Sequence, residues 1–286
     1  MRRMRWWKLA VLAPVAAVAA AIGCGDSAAD RVTPAPAAVT PAPESTPAVT
    51  AATTPSTAPA TQPTAAGSDI KAAAGTATVV GKVRYNGEPP KRKPVNFGPE
   101  KKCCDAHKTP PLDDTLVVSP SREIQWVLVR IAGKVPGNYP PPSQPAVIDQ
   151  RGCIFSPHVV PVLVGQEVEI RNSDEVLHNV RGEAVLNPAF NRNLPKAADP
   201  MRMKFSAPEV GLKVKCDVHF WMGGYIHVMP HPFFAVTGED GAFTITKVPP
   251  GTYKLETWHE KLGKQSQEIT VKDGEVKTVD FTYQPK

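Results

Sequence analysis

The sequence predicts an all-β protein made of two small sandwiches behind an unstructured leader, and three observations predict it. From Thr76 onward, short runs rich in Val, Ile, Thr and aromatic residues are separated by Gly, Pro and Asn. No apolar repeat of helical period persists long enough to compete. Between Asp26 and Ala74 the chain is mostly Ala, Pro and Thr, too poor in large apolar side chains to build a core.

In chain order, Met1 to Lys8 carries Arg2, Arg3, Arg5 and Lys8 without an acid, and an apolar run from Leu9 to Ile22 follows. This reads as an export signal over residues 1–24, its apolar run too short for a permanent membrane helix. Ala21-Ile22-Gly23-Cys24 resembles the lipobox of bacterial lipoproteins, with Ala21 where leucine is usual. That resemblance implies acylation of Cys24 and an exported, periplasmic protein tethered to the cell envelope. Ordinary cleavage near the alanines, releasing a soluble periplasmic protein, is the alternative. Residues 25–75 are expected to be a disordered, Pro-stiffened linker. The net charge of +6 includes four charges of the leader, leaving +2 on the rest, so nucleic-acid binding loses its main support.

The strand-like runs are Thr78–Arg84, Leu116–Ser119, Gln125–Ile131, Ala146–Asp149, Val159–Val164, Glu167–Arg171, Leu212–Cys216 and Tyr225–Met229. They suit an antiparallel sandwich or barrel spanning residues 76–232. A compact series follows over 233–286: Phe233–Thr237, Ala242–Lys247, Thr252–His259, Glu268–Lys272 and Val276–Tyr283, with Gly-rich or Pro-rich turns between them. Val236-Thr237-Gly238-Glu239-Asp240-Gly241-Ala242-Phe243 and Val248-Pro249-Pro250-Gly251-Thr252-Tyr253 resemble the carboxypeptidase regulatory-like family, which implies a prealbumin-like sandwich without chemistry of its own. Thr78 to Pro90 is similar to the opening strand and turn of the same family. The preceding domain is therefore either inserted between two parts of one sandwich or supplied with its own first strand.

The chemistry concentrates in Cys216-Asp217-Val218-His219-Phe220-Trp221-Met222, after the run Leu212 to Lys215. A cysteine at a strand end, a histidine three residues on and a methionine three beyond can deliver three ligands from one loop. A trigonal blue-copper site needs a thiolate, two imidazoles and a weak axial thioether. His178, in Asn172-Ser173-Asp174-Glu175-Val176-Leu177-His178-Asn179, offers the second imidazole from a neighbouring loop. The two runs together resemble the plastocyanin and amicyanin group of cupredoxins, Greek-key sandwiches that move single electrons. The resemblance covers roughly 146–229 and implies one copper ion, Cu(I)/Cu(II), held by His178, Cys216 and His219 with Met222 axial. It also gives Asn179 a role in tying the ligand loops together through Asp217, and redox proteins as partners docking on an apolar patch around His219. Bulky Trp221 and the Gly223-Gly224 pair depart from the pattern, so a backbone oxygen is the alternative to Met222. Zinc suits a thiolate and imidazoles too, and the thioether tilts the choice to copper.

Cys103, Cys104 and Cys153 form an odd set in an oxidising compartment, and one disulfide is expected, Cys153 with Cys103 or Cys104. His158, His227, His231 and His259 lack ligand-like spacing and read as structural. No His-x-His pairs of a trinuclear copper cluster occur, nor Gly-x-Ser-x-Gly or phosphate-loop fingerprints, so no enzyme activity is expected. The rivals to electron transfer are a copper carrier or storage protein and a metal-free, surface-anchored scaffold.

Overall fold

The structure, a computed structural model, describes residues 75–286. The leader with Cys24, and the linker up to residue 74, lie outside the described residues. Among the described residues no helix is long and apolar enough to cross a membrane.

The first elements are β1 (Ala77–Tyr85), the short helix α1 (Lys101–Asp105) and β2 (Leu128–Ala132). Next come β3 (Ala146–Gln150), β4 (Phe155–Ser156), β5 (Val159–Leu163), β6 (Glu167–Asn172), β7 (His178–Glu183), β8 (Phe190–Leu194), β9 (Met201–Lys204), β10 (Glu209–Lys215) and β11 (Gly223–Met229). The series ends with β12 (Phe234–Val236), β13 (Ala242–Val248), β14 (Gly251–His259), β15 (Gly263–Val271), β16 (Val276–Thr278) and β17 (Phe281–Tyr283). The all-β expectation holds, in two sandwiches.

Strands β3 to β11 form one sandwich, its sheets ordered β5-β11-β10-β7-β8 and β4-β3-β6-β9. The chain crosses repeatedly between the sheets, and β3 with β6 and β5 with β11 pair in parallel, so the sandwich is mixed rather than purely antiparallel. Alternation drives it: Val160 and Val162, Val168 and Ile170, Leu212 and Val214, Ile226 and Val228 all point into one core. Phe97 and Cys103 join that core from the segment around α1.

The other sandwich has sheets ordered β13-β1-β16, with β17 also beside β1, and β12-β2-β14-β15. The metal-ligand candidates therefore belong to a domain inserted between two parts of this sandwich. The boundary expected between 232 and 233 is corrected accordingly, because β1 and β2 share their core with β12 to β17. Both are interior strands: β1 lies between β13 and β16, β2 between β12 and β14. Buried Thr237 joins the two stretches of chain, its hydroxyl donating to Ile124 O at 2.7 Å and accepting from the Val127 N–H at 3.0 Å.

Other differences are local. Leu116–Ser119 forms no strand, only a bridge from Val118 to Ile124. The strand expected from Gln125 starts at Leu128 because Trp126 takes a left-handed φ of 66°. Strands β7, β8 and β9 were not expected, their sequences being largely polar, with a glycine in β7.

The two sandwiches meet through Leu128, Leu163 and Met229, packed by Phe234, Val236, Val210 and Trp258. Trp258 also covers the ring of fully buried His227, centroids 4.7 Å apart, and approaches Gly211. At Gly211, φ +84°, a Cβ would lie 3.2 Å from the indole, so glycine serves both the turn and the close approach. The Gly211 N–H donates to His227 Nδ1 at 2.9 Å.

Two outcomes are expected. Val79, Val83, Tyr85, Val129 and Ile131 are buried side chains that β1 and β2 add to the core. At roughly 1.5–3 kcal/mol each, their loss amounts to about 10 kcal/mol, comparable with a domain's whole stability. A fragment of residues 233–286 should therefore show no β-sheet signal by circular dichroism, whereas 75–286 folds; a folded fragment refutes the interleaved core. Secondly, burial, aided by the charge on Arg130, holds His227 down to about 3, and burial holds His259 down to about 4. The unfolded chain protonates these groups near 6.5 and so binds more protons below that pH. Stability should fall as pH drops from about 6.5 toward 4, by up to about 1.4 kcal/mol per pH unit for each histidine. Calorimetric melting between pH 7 and 4 should show the decline, with a shallower slope in His227→Gln; an unchanged slope in the variant would count against the assignment.

Candidate metal centre

Strand β6 ends at Asn172, whose side-chain amide donates to Val176 O and Leu194 O, both at 2.8 Å, and accepts the Asp174 N–H at 2.9 Å. This side-chain lock closes the turn that delivers His178 as the first residue of β7. Strand β10 ends at Lys215, and the loop from Cys216 returns to β11 with Met222 N–H donating to His219 O at 2.9 Å and Cys216 N–H to Met222 O at 3.3 Å. Because β7 pairs antiparallel with β10, with Arg181 opposite Lys215, the two loops open at the same end of the sheet.

There the donors converge. One nitrogen of His178, one of His219 and the sulfur of Cys216 lie within 4.8 Å of one another, all three residues being buried. The Nδ1 atoms of the two imidazoles are 2.9 Å apart with ring planes at 69°, and Cys216 Sγ lies 3.9 Å from His219 Nδ1. The sulfur accepts backbone N–H groups from Asn179 at 3.3 Å and His219 at 3.4 Å. Met222 is 2% exposed in the same cluster as Cys216. A second set, Cys153, Asp174 and His178, also clusters, but Cys153 carries no thiol because it is bridged to Cys103. In this structure the partner of Cys153 is Cys103. Cys216 is the free cysteine of the described residues.

The electrostatics favour a cation at the convergence. Burial raises the Cys216 thiol, but the interaction with the His178 side chain and the N–H groups of Asn179, His219 and Val218 outweigh it and hold the thiol below its usual range. Burial likewise opposes the charged form of His178, yet Asp174 and Cys216 leave it raised; His219 is lowered by burial and by the neighbouring His178. A sulfur disposed to ionise in a buried pocket needs a positive partner. Two imidazoles and a thiolate form a donor set that fits a transition-metal ion.

Asn179 is 5% exposed and accepts the Asp217 N–H at 3.1 Å, joining the two loops; its amide donates to Asn191. Asp217 itself is exposed, accepting from Asn191 at 3.3 Å and facing Arg181 at 3.7 Å. An open polar cleft lined by Asn179, Asn191, Asn193, Asp217 and Val218 adjoins the loop. Of the patch expected around His219, Phe220 is exposed, flanked by half-exposed Val218, but Met222 is buried and Tyr225 packs on Trp258. Trp221 is drawn inward: its ring meets His219 at 5.0 Å and Phe97 at 5.4 Å, and its indole N–H donates to Cys153 O at 3.0 Å. His107 stacks on Phe97 and bonds Gly152 O at 2.7 Å. His158 contacts Glu260 at 2.5 Å, His231 meets Gly133 O, and His259 accepts the Lys261 N–H, all structural contacts.

Sequence reasoning assigned no role to Asp174, whose carboxylate lies 2.9 Å from His178 Nε2. Its place two residues after Asn172 in the turn was the available signal. The packing of Phe97 on Trp221 carries no local signal, since tertiary structure alone brings the two together.

Residues 230–284 match the carboxypeptidase regulatory-like domain family. No curated protein sequence matches the chain. Among solved structures, the chain is similar to a Cu-containing nitrite reductase from Thermus scotoductus SA-01, 24% identical over 35% of this chain and 25% of that one, TM-score 0.28. It thus spans about a quarter of that enzyme's length. It is 26% identical to a purple cupredoxin from Nitrosopumilus maritimus, over 29% of this chain and 99% of that one, TM-score 0.26. A mutant of amicyanin in the oxidized state is 22% identical over 30% and 82% of the respective chains, TM-score 0.27.

Replacing Asn179 by Ala removes the acceptor that joins the loops and should cost about 1 kcal/mol in urea unfolding of the metal-free protein. Val218→Ala, at a half-exposed position on the same loop, should stay within about 0.5 kcal/mol of wild type. Equal effects at both positions would deny Asn179 its joining role.

Proposed function

We propose that the protein is an exported, mononuclear copper protein that passes single electrons between redox proteins and catalyses no bond-making reaction. The observation that carries this is the convergence of His178 Nδ1, His219 Nδ1 and the free Cys216 sulfur in one buried pocket. His178, Cys216, His219 and Met222 would hold the ion. Copper so held supplies a one-electron couple between Cu(I) and Cu(II).

The residues around it do the rest. Backbone N–H groups of Asn179 and His219 stabilise negative charge on the sulfur in both oxidation states. Asp174 and Asn179 hold the loops, so the donors need not rearrange when charge changes. Burial of all the ligands keeps water out and favours retention of the ion, which supports electron transfer over a carrier that must release its metal. Exposed Phe220 and half-exposed Val218 beside His219 offer a small apolar contact where a partner's redox centre comes near the imidazole edge. The export signal and Cys24 support an envelope location, with the linker as spacer and a lipid at Cys24 as the membrane contact.

Residues 75–286 loaded with Cu(II) should show an intense visible thiolate-to-copper band and a narrow parallel hyperfine splitting by EPR. Both should vanish in Cys216→Ser. A colourless protein that binds zinc or nothing would remove electron transfer and leave the scaffold reading.

A further inference from the structure

The two ring nitrogens of His178 face different ways. Nδ1 meets His219 in the donor pocket, and Nε2 meets Asp174 Oδ2 at 2.9 Å. The same carboxylate accepts the Gly152 N–H at 2.6 Å and the Cys153 N–H at 2.8 Å. Gly152 and Cys153 are consecutive left-handed residues, φ 65° and 57°, a conformation that turns successive N–H groups to one side as an anion cradle. Asp174 is the anion in it. Such a φ is disfavoured for any residue with a side chain, so Cys153 keeps it under restraint from its surroundings. The restraints are the Asp174 carboxylate, the bridge to Cys103 on α1, and the indole of Trp221 on the carbonyl. At Gly152 a Cβ would fall 2.7 Å from the His107 ring, so the turn admits no larger residue without movement.

We propose that Asp174 is the positioning residue that fixes His178 as an Nδ1 donor, and that the Cys103–Cys153 cross-link acts on the metal centre through it. The proposal rests on the reading of His178 as a copper ligand. A carboxylate that accepts a hydrogen bond from Nε2–H keeps the proton on that nitrogen and leaves the lone pair on Nδ1, in the donor pocket with Cys216 and His219. The cross-link holds the Gly152-Cys153 cradle, the cradle holds the carboxylate, and the carboxylate holds the ring. Removing either cysteine releases the far end of that chain of contacts while leaving every donor in the protein.

The test is a mutant cycle on the full described chain with Asp174→Asn, the double substitution Cys103→Ser with Cys153→Ser, and all three together. In metal-free protein at a pH where the ring is neutral, nitrogen-detected NMR of His178 should show one tautomer, protonated on Nε2. Asp174→Asn should mix the two tautomers and speed copper loss to a chelator about tenfold. The cysteine substitutions should do the same, and the triple variant should lose copper no more than about twofold faster than Asp174→Asn. Amide spectra establish that each variant is folded. A wild-type ring protonated on Nδ1 overturns the proposal without any variant, and so does full additivity of the two sets of substitutions. If copper does not bind at all, the functional reading falls, whereas the ring tautomer still decides what Asp174 does.

Discussion

The pairing of β7 with β10 is the constraint on which the site depends. Arg181 opposite Lys215 and Gly182 opposite Val214 set a register in which His178 and Cys216, at the facing ends of the two strands, become neighbours. A slip of one residue would turn Val180 and Val214 out of the core and His178 away from Cys216. The apolar face of the sandwich thus enforces the geometry of the donors, and the hydrogen bond from Asp217 to Asn179 closes the same junction at its open end. No donor is placed by its own loop alone.

That division explains what could be read in the sequence. Cys216, His219 and Met222 stand out because one loop carries all three and the preceding strand alternates visibly. His178 follows a turn whose Asn172 and Asp174 are themselves visible as turn residues. Strands β7 to β9 stay hidden because their exposed positions carry Asn, Arg and Lys, and pairing with neighbours, not propensity, makes them strands. Cys103 and Cys104 look alike in the sequence, but only Cys103 turns fully into the core from α1. The role of Asp174 depends on the turn at Gly152 and Cys153, distant in sequence, and no local pattern announces it.

The second sandwich shows a similar limit. The runs from Thr78 and from Phe233 have the same texture, and both fit an opening strand equally well. The choice is made by packing: β1 completes a sheet that β13, β16 and β17 leave without a centre. The segment matched to the carboxypeptidase regulatory-like family covers only β12 to β17, and its partner strands come from the other side of the inserted domain.

This interleaving orders events in time as the chain is made. Strand β1 emerges early but finds its parallel neighbours only when β16 and β17 appear at the far end. All the strands of the inserted sandwich, and with them His178, Cys216, His219 and Met222, are available before β12 exists. The domain bearing the donors can therefore assemble as a unit while its host is still open, and its closure brings the two halves of the host together. A chain cut short after β11 would hold every strand of the donor pocket yet leave β1 and β2 without β12 to β17, their apolar faces uncovered.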